Sequence, residues 1–312
     1  MLLTVLFSQG LGLKFQRKLF QYSQYFIQAI KKPNWFLMFV LGRIAFVRRF
    51  ALLLSKCPLS QSYGQQPSLF KQLDVDSVTK ILKEDGFYLN INLPEKTRQD
   101  IQNFAENAIY FGDGNPNFCF LMADKEKLES KSGKKFRFAY NFNSSLLCPA
   151  IKQVENDPKL WEIAAKYLEG NPILISSQIW WTFPIEEAVN EPKVGGLRFH
   201  YDLEGYSSLK FMFYLTDVDS SSSYHICVKG SHQKKKLREQ FSLSRNRDDQ
   251  YIINYYGSEN VITICDPAGA GFAEDPYCFH KGTIPVNKER LILEIKFALN
   301  NYEYEPKKYG LW

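Results

Sequence analysis

Hydrophobic and polar positions alternate in different ways along this chain. The first 60 residues read as basic amphipathic or apolar helix, and the longest apolar stretch, over residues 35–54, is 20 residues long, interrupted by Arg43, Arg48 and Arg49. An arginine in mid-span is costly in hydrocarbon, so a membrane-crossing helix is disfavoured. A basic helix fits better, either lying in the lipid headgroup region or packed on the domain behind it. Residues 60–68 are polar and turn-rich and read as a linker. Three amphipathic helices follow. The first is capped by Asp74 or Asp76, runs to Lys83 and is broken by Gly86 ahead of a strand over 87–91. The second spans 94–108, with Ile101, Phe104, Ala105 and Ala108 on one face. The third has Asp157 as N-cap, Pro158 at its first position and Gly170 past its end, with Leu160, Ala164, Tyr167 and Leu168 as the buried stripe.

Beyond Asn171 the rhythm shortens to that of strands: 173–183, 197–203, 209–218, 224–228, 261–265, 278–283 and 291–299. Many short strands separated by Gly, Ser, Asp and Pro turns predict a sandwich or jelly-roll barrel with supporting helices, an α+β chain. The polar, basic segment over 233–258 reads as an insertion or lid. The predicted organisation is a basic helical extension over 1–60, a linker over 61–72 and a domain over 73–312 whose barrel core spans about 171–300.

Charge sharpens this division. The net charge is +6, yet residues 1–73 hold ten basic and no acidic side chains, leaving −4 for the remaining 239. Peripheral membrane contact through residues 1–60 is therefore one expectation, alongside packing on the domain. The six cysteines show neither CxxC pairs nor even spacing, which points away from a zinc ribbon or a secreted disulfide framework and toward a reducing, cytoplasmic setting. Basic and aromatic residues do not interleave as a nucleic-acid groove requires, so no nucleic-acid partner is expected.

Only four histidines occur: His200, His225, His232 and His280. His200 and Asp202 flank Tyr201 in a strand-like segment, and residues two apart on a strand share a face. Two histidines and one carboxylate leave three positions of an octahedral metal open, the arrangement of oxygen-activating Fe(II). His280 follows 78 residues after Asp202, and Arg290 ten residues later, at the start of the last strand. A hairpin between them would return Arg290 beside His280, where a guanidinium can grip the far carboxylate of a dicarboxylate. His225, next to a serine run, reads as a surface or edge-strand histidine, and His232 as part of a turn. Arg290 could instead pair at the surface with Glu289 or Glu294.

Lys83-Glu84-Asp85-Gly86-Phe87, His200-Tyr201-Asp202, Leu215-Thr216-Asp217-Val218-Asp219, Lys229-Gly230-Ser231-His232 and His280 with Arg290 stand in an order that resembles the phytanoyl-CoA dioxygenase-like (PhyH) family of Fe(II)/2-oxoglutarate-dependent oxygenases. The resemblance covers about residues 73–300. It implies a double-stranded β-helix of the jelly-roll or cupin-like kind, with iron bound by His200, Asp202 and His280. Arg290 would bind the 5-carboxylate of 2-oxoglutarate, and O2 would be the second co-substrate. Where the family carries a hydroxyl two residues after the distal histidine, this chain has Gly282, and Thr283 is the nearest hydroxyl. Lys229 stands where proline is frequent. The implied default is hydroxylation of a small molecule, with desaturation and epoxidation left open. A carboxylate at Asp202 disfavours halogenation because it fills the place where related halogenases bind chloride. Trp180, Trp181, Phe183, Tyr201, Tyr206, Phe211 and Phe213 suggest an apolar or amphipathic substrate. Two rivals remain: a non-catalytic, membrane-associated binding protein with a degenerate barrel, and a zinc hydrolase, whose common sites use three histidines or two with glutamate.

Overall fold

The computed structural model describes residues 26–27, 29–55, 67–142, 144–185, 197–242 and 244–302. Residues 1–25 and 56–60 of the expected extension, and the expected linker as far as residue 66, lie outside them. The long apolar stretch is two helices, α1 (Pro33–Leu41) and α2 (Ala45–Ser55). Two of its three arginines tie these helices down. Arg43 donates from Nη1 to the Ser242 carbonyl at 2.5 Å and from Nε to the Phe39 carbonyl at 3.1 Å. Arg48 donates to the Gly205 carbonyl at 3.2 Å and lies 3.8 Å over the ring of Tyr277, whose hydroxyl donates to the Arg43 carbonyl at 2.6 Å. Trp35, Met38 and Phe39 are buried against Ile226, Val228, Tyr277 and Phe279. Among the described residues, no helix is long and apolar enough to cross a membrane.

Caps set the next helices. Asp74 accepts from the Asp76 and Ser77 amides and opens α3 (Val75–Asp85), which Gly86 closes at φ 85°. Glycine is needed there twice over: a Cβ would also meet Cys278 Sγ at 2.2 Å and His232 Nδ1 at 2.6 Å. There follow β1 (Phe87–Leu89), α4 (Glu95–Asn107), β2 (Ile109–Gly112), β3 (Cys119–Leu121), α5 (Lys125–Ser132), β4 (Phe138–Asn141), α6 (Pro149–Glu155) and α7 (Pro158–Leu168). Asp157 caps α7 and also accepts from the Leu69 amide at 2.6 Å, fastening the chain ahead of Phe70, which is fully buried. The left-handed residue after α7 is Glu169 (φ 56°), one place before the expected Gly170; its carboxylate pairs with Lys83 at 2.6 Å.

The remaining strands are β5 (Ile173–Thr182), β6 (Ser208–Tyr214), β7 (His225–Val228), β8 (Val261–Ile264), β9 (Gly271–Glu274), β10 (His280–Gly282) and β11 (Arg290–Ala298). They form an eight-stranded sheet, β1-β9-β6-β11-β5-β4-β2-β3, and a three-stranded sheet, β10-β7-β8, every pairing antiparallel. The expected strand over 197–203 is instead an extended segment with two isolated bridges, Phe199 to Arg247 and His200 to His280. The larger sheet carries its main core on its outer face. There Leu209, Phe211, Phe213, Leu291, Leu293, Ile295 and Phe297 meet residues of α3, α4, α6 and α7. Met212, Tyr214, Phe272 and Ile292 of that sheet join Cys227 and Ile264 of the smaller one, so the sheets face each other. The segment over 233–258 is packed rather than a free loop. It holds α8 (Leu237–Gln240) and α9 (Asp249–Tyr256), with Ile252 and Tyr256 in the α1 cluster. Lys235 anchors it: its ammonium reaches the Tyr277 carbonyl at 2.6 Å and sits over the rings of Tyr201, Tyr277 and Phe279.

Candidate metal centre

Three of the sequence-predicted residues meet where the extended segment crosses β10. His200 and His280 exchange backbone hydrogen bonds of 2.9 and 2.8 Å, and the Asp202 amide donates to the Pro276 carbonyl at 2.7 Å. Pairing places both imidazoles on the inner side, ring centroids 4.4 Å apart. Asp202, two residues after His200, points the same way: its oxygens lie 3.8 Å from His200 Nε2 and 3.7 Å from His280 Nε2. One donor atom from each residue falls within 4.8 Å of the others.

The protonation pattern of this group suits a cation. His200 Nδ1 lies 2.9 Å from the Arg198 carbonyl and His280 Nδ1 lies 3.0 Å from the Cys278 carbonyl. A carbonyl only accepts, so each Nδ1 carries the proton and each Nε2 keeps its lone pair toward Asp202. Burial pushes His280 down to about 3 and lowers His200 as well, so both rings are neutral. Burial opposes ionisation of Asp202, but the Lys210 ammonium beside it outweighs burial and holds the carboxyl well below its usual range. Two neutral imidazoles and one carboxylate are the protonation states that metal binding requires. His280 is sealed, whereas the side chains of His200 and Asp202 each remain 18 % exposed, leaving one flank of the group open.

A second group stands behind the first, and the pattern of the sequence did not single it out. His225, expected at the surface or on an edge strand, is buried in the central strand of the smaller sheet; its Nε2 lies 2.9 Å from Glu274 Oε2, and Cys227 Sγ donates to Glu274 Oε1 at 3.3 Å. Glu274 Oε1 is also 3.3 Å from His280 Nδ1. His225-Ile226-Cys227 has the same period-two spacing as His200-Tyr201-Asp202, and that spacing was the available signal. Lys210 was missed too: its ammonium reaches Asp202 Oδ2 at 2.6 Å and lies 3.6 Å from Glu294.

Arg290 opens β11 opposite Thr182, with its side chain buried. It donates to the Ser223 carbonyl at 2.5 Å and to Thr182 Oγ1 at 3.3 Å, while its Nε has no partner. No carboxylate among the described residues pairs with it; Glu294 goes instead to Lys210, Lys296 and Gln178. A buried guanidinium left with an unused N–H fits the carboxylate of a small dianion. The Thr283 hydroxyl accepts from the Tyr224 amide at 2.9 Å, stitching the end of β10 to the start of β7. The aromatic positions read as a substrate approach lie elsewhere. Trp181, Phe183, Phe211 and Phe213 belong to the outer core against the helices, and Tyr201 and Tyr206 to the α1 cluster; Trp180 alone of the seven packs between the sheets.

No protein-family model and no curated protein sequence matches the chain. Among solved structures, the non-heme alpha-ketoglutarate-dependent epimerase SnoN from nogalamycin biosynthesis aligns over 72 % of this chain and 82 % of its own, at 14 % identity and a TM-score of 0.48. HygX from Streptomyces hygroscopicus, crystallised with nickel, 2-oxoglutarate and hygromycin B, aligns over 71 % and 86 %, at 12 % identity and a TM-score of 0.48. EctD from S. alaskensis in its apo form aligns over 77 % and 81 %, at 12 % identity and a TM-score of 0.48.

Proposed function

We propose that the chain is an Fe(II)/2-oxoglutarate-dependent oxygenase of the hydroxylase type. In this reading His200, Asp202 and His280 hold the iron, and Arg290 holds the distal carboxylate of 2-oxoglutarate. The observation that carries it is the convergence of two imidazole lone pairs and one ionised carboxylate on a half-open position, inside a fold that also buries a guanidinium with one N–H unused. The strand order agrees. From β5 onward, successive segments alternate between the two sheets except at the β7–β8 hairpin, as a double-stranded β-helix requires. Residues 73–312 would form the catalytic unit around a barrel core over about 171–300.

Fe(II) bound there with 2-oxoglutarate supplies activation of O2, with succinate and CO2 as co-products. The side chains divide the remaining work. His200 and His280 present fixed lone pairs, because each Nδ1 proton is committed to a carbonyl. Asp202 offers one oxygen inward while the other accepts from Lys210, which fixes the rotation of the carboxylate. Arg290 orients the co-substrate from the buried end, and its Ser223 and Thr182 partners keep the guanidinium from turning. Lys210, Glu204, Glu294 and Lys296 form a row of ion pairs next to Asp202. That row favours a polar small molecule as substrate over the apolar one suggested by the aromatic positions.

One contact favours a second reading. An ammonium 2.6 Å from Asp202 neutralises that carboxylate without any metal, as a non-catalytic barrel would. Adding Fe(II) anaerobically and then 2-oxoglutarate separates the two. The oxygenase reading expects a weak visible charge-transfer band that needs both additions. Absence of the band, with neither Fe(II) nor Zn(II) retained, would establish the binding-protein alternative.

A further inference from the structure

The two features that the proposed reaction leaves unused are the acid-free N-terminal segment and the basic insert, and the structure brings them together. The α2 helix is inverted relative to an ordinary surface helix. Its inward side carries Arg48, held on Gly205 and Tyr277, whereas Phe46, Phe50, Leu53 and Leu54 point to solvent, each between 53 % and 75 % exposed. These positions are spaced i, i+4, i+7 and i+8, a single helical stripe, and Phe46 stacks on Phe50. Helix α8 is fastened to the start of α2, since the Ala45 amide donates to Gln240 Oε1 at 2.8 Å. It adds Leu237 and Phe241, 72 % and 70 % exposed. Soluble monomers rarely leave so many large apolar side chains uncovered in adjoining elements.

Basic groups flank the stripe. Arg49 lies on its border and is exposed, and Lys234, Lys236 and Arg238 surround Leu237. Beside α8 a cleft of about 350 Å³ is lined by Arg198, Arg238 and Arg247 together with Ser242, Tyr251 and a single carboxylate, Asp248. Arg198 and Arg238 form no ion pair among the described residues, so the cleft carries unneutralised positive charge.

We propose that α2 and α8 together dock this protein on an anionic phospholipid surface, the apolar side chains entering the headgroup boundary and the arginine cleft meeting phosphate. A second copy of the chain is the weaker occupant: residues 1–73 contain no acidic residue, so self-association would oppose Arg49 to its own like. Anionic lipid neutralises those charges instead. The surface does not depend on the proposed oxygenase chemistry.

Flotation of the full chain tests this, using vesicles of phosphatidylcholine with and without phosphatidylserine. The wild type is expected to float with the anionic vesicles only, and less as salt is raised. Phe46→Ser combined with Phe50→Ser should weaken partitioning about tenfold per phenylalanine. Arg238→Glu should weaken it about tenfold. Both variants change exposed positions and should melt like the wild type. A wild type that stays in solution with both vesicles overturns the proposal, as does a double variant that floats undiminished or equal flotation on neutral lipid. So does light scattering that shows a dimer broken by the double substitution, since the stripe would then belong to a second copy.

Discussion

His200, Asp202 and His280 on one side, and His225, Cys227 and Glu274 on the other, stand back to back between the sheets and touch where Glu274 meets His280 Nδ1. Both are three-residue groups with donor atoms at metal-binding spacing. They differ in what their atoms already do. In the inner group Glu274 accepts from the Cys227 thiol and meets the His225 ring, and every member is buried, so its hydrogen-bonding capacity is satisfied within the protein. In the outer group the two Nε2 atoms have no donor facing them, and one flank is open. On the proposed function the outer group admits an ion and two co-substrates, which needs that open flank. The inner group suits the role of a support that orients His280 from behind.

The largest test of this contrast is Asp202→Ala. It should lower iron retention by more than about 100-fold, beyond the range of outer-sphere partners, and abolish turnover. A variant that still holds one iron per chain would end the assignment. Arg290→Met should separate binding from stability. Affinity for 2-oxoglutarate should fall roughly 10- to 100-fold with the loss of charge-assisted hydrogen bonds. The fold should melt no lower, because a buried cation without a counter-ion is removed. Titration calorimetry and a thermal melt read the two effects, and a collapse in stability with unchanged affinity would make Arg290 structural. Glu274→Gln should lower iron affinity about tenfold while 2-oxoglutarate binding stays the same. The smallest effect is expected of Cys227→Ala, a loss of about 1 kcal/mol in stability with the metal content unchanged. If Cys227→Ala instead empties the protein of metal, the two groups have exchanged roles.

Period-two alternation made half of the arrangement legible. It put His200 and Asp202 on one face and showed that Arg290, Glu294 and Lys296 share a side of the last strand. It did not say which side faces inward. A sequence reader expects apolar residues inside, yet here the apolar side of β6 and β11 is the outer one, covered by helices, and the charged side faces the other sheet. For that reason Phe211 and Phe213, which suggest a substrate approach in the sequence, lie in the outer core instead. Glu274 escaped notice because β9 is four residues long and fully buried, so a carboxylate in it looks like a turn residue. Helix caps at Asp74 and Asp157 were legible because capping is local chemistry. Arg43 and Arg48 were not, because their partners, Ser242 and Gly205, lie far away in the chain.

The extended segment that bears His200 and Asp202 has no place in a regular ladder. Among the described residues, four backbone hydrogen bonds secure it: two exchanged with His280, one to Pro276 and one from Arg247 to Phe199. Its amides should accordingly exchange with deuterium sooner than those of β6 or β11, which lie in the interior of the larger sheet. An ion gripped by residues on both sides of the His200–His280 pairing would act as a fastener across that seam. Metal loading should then slow exchange there far more than anywhere else in the protein.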